Sequence, residues 1–277
     1  MNTACLHHPK EMYSLLFKSA RETLRQFAKN KHLTTGMIAV LHTWGQNLSL
    51  HPHVHGIVPG GGTDRKDRWR NFRMDGKYLF PVKALSKVFR AKFVSLLRKT
   101  GLLTRESLEP LFASQWAVYA KHPFFHPSHI IEYSGRYTHK VAVSNSRIQS
   151  YEDNRVIFTY RDYRHGNCKK RMELEDVEFI RRFALHILPS GFVRIRHYGI
   201  LSATSKKKYI SLIRQQLPRK EICFVDLRKI RPYEPSVCPC CGKRSMVTIT
   251  SIPVRGPPQS SVTATVAVEK RIQNASV

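Results

Sequence analysis

The chain has 277 residues, 42% hydrophobic and 10% aromatic, enough apolar material for one large domain or two modest ones and too much for a disordered chain. Forty-seven Lys and Arg against 19 Asp and Glu leave a net charge of +28, which self-repels unless a polyanion neutralises it, so nucleic acid is the expected partner. No apolar run reaches the roughly 18 residues of a membrane span, and the opening MNTACLHHPKEM lacks a signal-peptide core. A cytoplasmic protein is expected, with no membrane partner and no small-molecule substrate.

Residues 10–30 read as an amphipathic helix, with Tyr13, Leu16, Phe17, Ala20, Leu24 and Phe27 recurring at helical spacing. The apolar run Gly36 to Trp44 has strand length, and the short polar Gly45-Gln46-Asn47 leads into LSLHPHVHGIVPGGG. Two strands so joined pair antiparallel, which would bring His42, Gln46 or His51 near His53 and His55. In a strand, residues i and i+2 share a face, so His53 and His55 project together while Val54 packs behind. Alone, an H-x-H pair serves equally as two metal ligands or as solvent-facing strand histidines. Pro59 and the three glycines after it are expected to end the strand.

Asp64 to Arg73 is a basic loop or hairpin in which Arg65, Lys66, Arg68, Arg70 and Arg73 alternate with Trp69 and Phe72. Cations interleaved with aromatics suit a single-stranded nucleic acid, by phosphate attraction and base stacking, and also suit a solvated hairpin. A second helix is expected over 82–100, stopped by Gly101, and a short strand over Gln115 to Ala120. Ser128 is a good N-cap for a helix carrying Tyr133 and Tyr137, which stand one above the other at i and i+4, with Arg136 beside them. Val141-Ala142-Val143 begins a strand. A hairpin follows, 154–160 with 168–174, turning at Arg164-His165-Gly166-Asn167; then a helix over 175–187 opens on Glu175, Asp176 and Glu178. From Gly191 to Lys220 the chain is densely basic, with a helix near 205–217 that would carry charge to a phosphate backbone.

Six cysteines without a secretory signal point to reduced thiols or a metal. Cys238 and Cys241, in CPCCGK, form half of a zinc knuckle, and no second pair of ligands follows them, so Zn²⁺ is a possible second cofactor there. The division expected is a nuclease-like core over 1–165, a basic and mainly helical region over 166–250 and a disordered tail over 251–277.

Paired histidines on a strand and paired tyrosines on a helix suggest one reaction class. A divalent cation stabilises the charge that develops during in-line attack on a phosphodiester. Attack by a tyrosine oxygen leaves a covalent phosphotyrosine that stores the bond for rejoining. At this point the stretches LHTWGQNLSLHPHVHGIVPGGG, EYSGRYTHKVAVSNSRI, HYGILS and CPCCGK together resemble the HUH rolling-circle transposases with two tyrosines, the insertion sequence 91 group, over about His7 to Pro258. The resemblance implies an α+β fold in which an antiparallel sheet with flanking helices carries His53 and His55 and a basic helical region follows. It also implies that the protein nicks and joins single-stranded DNA, with His53 and His55 holding Mg²⁺ or Mn²⁺ and Tyr133 and Tyr137 as nucleophiles. Gln46 is the expected third metal ligand, with His42 behind it; Arg68, Trp69, Arg70, Arg136, Lys140 and Arg147 are the expected DNA contacts. Family members begin with a zinc module and a first sheet strand, whereas this sequence opens at the helix that normally follows, as a truncated frame would. The alternatives are a DNA-binding remnant without catalysis and a related replication initiator or relaxase.

Overall fold

Helix α2 (Pro9–Lys29) organises the first half of the chain. Proline at its first turn costs no hydrogen bond, and Met12, Tyr13, Leu16 and Phe17 are buried along one side. Against that side lie α1 (Asn2–His7), α3 (Val82–Arg98) and α4 (Arg105–Ala113), with Phe93, Val94, Leu97 and Leu108 completing the core. Phe17 and Phe93 are fully excluded from solvent, and each such burial stabilises the fold by about 1.5–3 kcal/mol.

Strand β1 (Gly36–Trp44) lays Met37, Ala39 and Leu41 on this core. Alternation then turns Ile38, Val40 and His42 to the opposite face. Strand β2 (Leu50–Ile57) pairs antiparallel with β1, setting Val40 opposite His55 and His42 opposite His53, with an irregularity between His42 and Trp44. Cross-strand partners share a face, so the register itself gathers three histidines on the side away from α2. The other neighbour of β1 is β8 (Ile195–Gly199), giving an antiparallel sheet of order β2-β1-β8.

Glycines 61 and 62 do more than stop β2. They form β3 (Gly61–Thr63), which pairs with β4 (Trp69–Asn71) as a two-stranded hairpin. A Cβ at Gly61 would lie 2.4 Å from the Arg70 carbonyl oxygen, and one at Gly62 would lie 2.5 Å from that of Thr34, so neither site admits a side chain without backbone movement. Beyond the described coil at 116–120, where a strand was expected, comes α5 (Pro127–Thr138), the tyrosine helix. Ala142 and Val143 are buried in a bend rather than a strand, and a 3-10 turn at Asn145–Arg147 leads into β5 (Ile148–Glu152). The expected hairpin is β6 (Arg155–Asp162) with β7 (Cys168–Glu175), joined by β5 in a second three-stranded antiparallel sheet. Helix α6 (Asp176–Ala184) and helix α7 (Lys206–Gln216) fall within the ranges expected for them.

The computed structural model describes residues 2–72, 78–114, 116–124, 127–138, 142–163, 165–217, 236–237 and 242–244, without the side chains of Arg105, Pro127, Arg136, Tyr137 and Thr138. Arg73, Gln115, Lys140, Val141, Arg164, Cys238 and Cys241 therefore lie outside the described residues, and so does the disordered tail expected from 251 onward. The fold is α+β, with antiparallel sheets and flanking helices. The chain divides into two units, Met1–Arg219 and Lys220–Val277, and every named element lies in the first. Strand β8, from beyond residue 165, completes the histidine-bearing sheet. No described helix is long and apolar enough to cross a membrane.

Candidate active site

Among the described residues, His42, His53 and His55 offer ligand atoms that all lie within 4.8 Å of one another. Their ring centroids are 5.5 Å apart for His42 and His53, 4.5 Å for His42 and His55, and 4.8 Å for His53 and His55. His42 is 3% exposed, while the two β2 histidines are half-buried. His53 donates from Nδ1 to the carbonyl of His51 at 2.7 Å, which fixes its tautomer and leaves the Nε2 lone pair for a cation. Burial holds His53 below the usual imidazole range, against the opposing pull of that hydrogen bond, so the ring is neutral at pH 7 as a metal ligand must be. Three imidazoles around one point fit a divalent cation that keeps further positions open for oxygen ligands.

The tyrosine helix approaches these histidines through Tyr133. The Tyr133 hydroxyl lies 3.4 Å from His55 Nδ1. Phe124 packs against the Tyr133 ring at 5.3 Å, and the Lys121 ammonium stands 5.6 Å from the ring centroid. Tyr137 occupies the next turn of α5, with its side chain outside the described residues.

Gln46 bonds to a tyrosine of another segment. Its amide donates to the Tyr163 hydroxyl at 3.4 Å, while His42, four residues earlier on β1, stands with the two β2 histidines. Arg147 is bonded within the protein. Its guanidinium is half-buried and donates to the Thr159 carbonyl at 2.7 Å, to the Ala142 carbonyl at 3.3 Å and to the Gln46 carbonyl. Burial also pulls its pKa below the ordinary guanidinium value. Arg147 thus ties the β1–β2 turn to the second sheet.

The β3–β4 hairpin keeps its basic side chains outward. Asp64 accepts from the backbone N–H groups of Arg68 and Lys66, the first being the larger influence, and its carboxyl is held down to about 2. The same carboxylate pairs with Arg68 at 3.1 Å and Arg70 at 3.5 Å, both of which remain more than half exposed. Trp69, on β4, stands between these two cations in the chain. Its indole N–H donates to Asn71 at 2.8 Å, and its ring lies against the position where a Gly61 side chain would stand.

The family model described as "Putative transposase" (Y2_Tnp) matches residues 36–208. The "Putative transposase y4qJ" of Sinorhizobium fredii is 38% identical over 279 residues, covering 90% of this chain and 70% of that relative. The "Transposase for insertion sequence element IS801" of Pseudomonas savastanoi pv. phaseolicola is 28% identical over 271 residues, covering 87% of this chain and 63% of its own length. No solved structure matches the chain.

Proposed function

This chain belongs to the Y2_Tnp transposase family, and from that premise we propose that it cuts and rejoins single-stranded DNA by attack of Tyr133 on a phosphodiester. The observation that carries this reading is the 3.4 Å approach of the Tyr133 hydroxyl to His55, a member of the three-histidine group. His42, His53 and His55 would hold a divalent cation, which when bound polarises the phosphoryl group and stabilises the charge that develops on it. An all-nitrogen donor set ranks Mn²⁺ above Mg²⁺, because Mg²⁺ favours oxygen ligands.

His55 Nδ1, carrying the ring proton, would donate to the phenol oxygen and hold it beside the histidines. The Tyr133 proton is then lost to solvent as its oxygen bonds to phosphorus. One P–O bond to deoxyribose breaks, and the displaced sugar oxygen takes up a proton. Attack by a sugar hydroxyl on the phosphotyrosine reverses the step and rejoins the strand. Tyr137, at i+4 on α5, stands where a second nucleophile could act on a second strand. The outward cations of the β3–β4 hairpin, Arg68 and Arg70 with Arg65 and Lys66, supply phosphate contacts whose strength falls with salt.

The test is incubation of the full chain with a single-stranded oligonucleotide and Mn²⁺. A covalent protein–DNA product that disappears in Tyr133→Phe and with a chelator supports the proposal. Salt-sensitive DNA binding with no covalent product under any divalent metal would instead identify a DNA-binding protein without catalysis.

A further inference from the structure

Resting on the metal-site reading above, we infer that Arg194 is a positioning residue that sets the ring of the third histidine, His42, through Trp44. Arg194 lies just before β8, more than a hundred residues from the histidines in sequence, and reaches them by stacking. Its guanidinium stands 5.1 Å from the centroid of the Trp44 ring. That ring in turn stacks on His42 at 4.5 Å with an interplanar angle of 16°. The result is one column: guanidinium, indole, imidazole, with the imidazole facing His53 and His55.

The column is anchored at both ends. Arg194 Nε donates to the Leu41 carbonyl at 3.1 Å, while the Leu41 N–H donates to the Arg194 carbonyl at 3.0 Å, so the guanidinium is fixed to the residue preceding His42. On another side the Trp44 indole meets His186 edge-on at 6.1 Å. His186 donates from Nε2 to the Leu48 carbonyl at 3.2 Å and accepts at Nδ1 from the Thr43 hydroxyl at 3.3 Å. Trp44 is thus boxed between two side chains that are each bonded back to the β1–β2 segment.

This box has a specific consequence for His42. His53 has its ring oriented by a hydrogen bond to the His51 carbonyl, and His55 has one to Tyr133. Around His42 the stacked faces add an orienting contact: a planar cation holds the indole, and the indole holds the imidazole plane. An ammonium could supply the charge but not the flat stacking surface. Outer partners that orient a ligand in this way typically govern about 10–100-fold in metal affinity.

The test uses the full chain and two measurements. In the first, without metal, histidine-labelled NMR reads the His42 ring protons, which the Trp44 face shields. Arg194→Gln, which keeps a donor for the Leu41 carbonyl, is expected to erase that shielding while circular dichroism stays unchanged; Arg194→Lys is expected to restore little of it. In the second, calorimetric titration with Mn²⁺ is expected to show affinity reduced about 10-fold or more in Arg194→Gln and in Trp44→Ala, with the double variant no worse than Trp44→Ala alone. A folded Arg194→Gln protein with unaltered His42 shifts, or single-variant losses that add in the double variant, would overturn the inference. If the wild-type chain binds no Mn²⁺, the metal-site reading fails, while the NMR measurement still decides whether Arg194 positions His42. If Arg194→Gln does not fold, Trp44→Phe, which keeps an aromatic face, must retain most of the His42 shielding that Trp44→Leu loses.

Discussion

The two halves of the proposed active site are built in opposite ways. The histidines stand on β1 and β2, whose reverse face is sealed by Met37, Ala39 and Leu41 against α2, and His42 itself is almost fully buried. Tyr133 stands on α5, where none of the described side chains is buried and Ile131 is 73% exposed. The histidine half is fixed by core packing and strand register. On the tyrosine half, Tyr133 contacts His55, Phe124 and Lys121. A ligand cage needs fixed distances, whereas a nucleophile that must enter and leave a phosphoryl group benefits from a lightly packed mount.

Variants should separate these halves. The largest effect is expected from Tyr133→Phe, which should abolish the covalent DNA product while changing stability by no more than about 0.5 kcal/mol. A large fall in its urea midpoint would show that α5 is structurally integral and would break the contrast. Phe17→Ala, behind the sheet, should cost about 3–5 kcal/mol by denaturant titration, because it empties a fully enclosed site. Next comes His53→Ala, for which calorimetry should find Mn²⁺ affinity lowered about 100-fold with the DNA-binding salt slope intact. A smaller effect is expected from pH. Burial holds His186 below its ordinary value of 6.5, against the raising influence of its bond to the Leu48 carbonyl. The unfolded chain therefore protonates first, so this contribution to stability is complete above about 6.5 and lost as pH falls towards the folded value. His186→Gln should flatten the fall in urea midpoint between about pH 7.5 and 5.5, where the wild-type midpoint drops. Ile131→Ala, on the open side of α5, should be the mildest, within about 0.5 kcal/mol.

How much of this was legible beforehand varied with the range of the interaction. Local patterns carried α2, β1, β2, α5 and the β6–β7 hairpin, since helical spacing, strand alternation and turn residues act over a few positions. The α+β class followed from them. The placing of His42 and Gln46 was harder to read. The run from Met37 to Leu41 is apolar throughout, so it shows no alternation that would reveal which face His42 takes. The face is decided by the β1–β2 register and the irregularity after His42, which no local motif announces. Likewise, Ile195 to Gly199 reads as part of a basic segment, and only its long-range pairing with β1 makes it a sheet strand and brings Arg194 to Trp44. Arg147 illustrates the converse: a cation beside the tyrosines suggests phosphate, but the carbonyls that claim it come from Gln46, Ala142 and Thr159.

The central claim is that Tyr133 attacks DNA beside the His42, His53 and His55 group. Its most direct test is to trap the product with a single-stranded oligonucleotide and Mn²⁺, digest the protein and map the modified residue by mass spectrometry. The account predicts a nucleotide remnant on the α5 peptide at Tyr133, formed by the wild-type chain and missing after His53→Ala. A remnant on a tyrosine outside α5, such as Tyr163 beside Gln46, or a Tyr133 adduct formed equally well without His53, would contradict it.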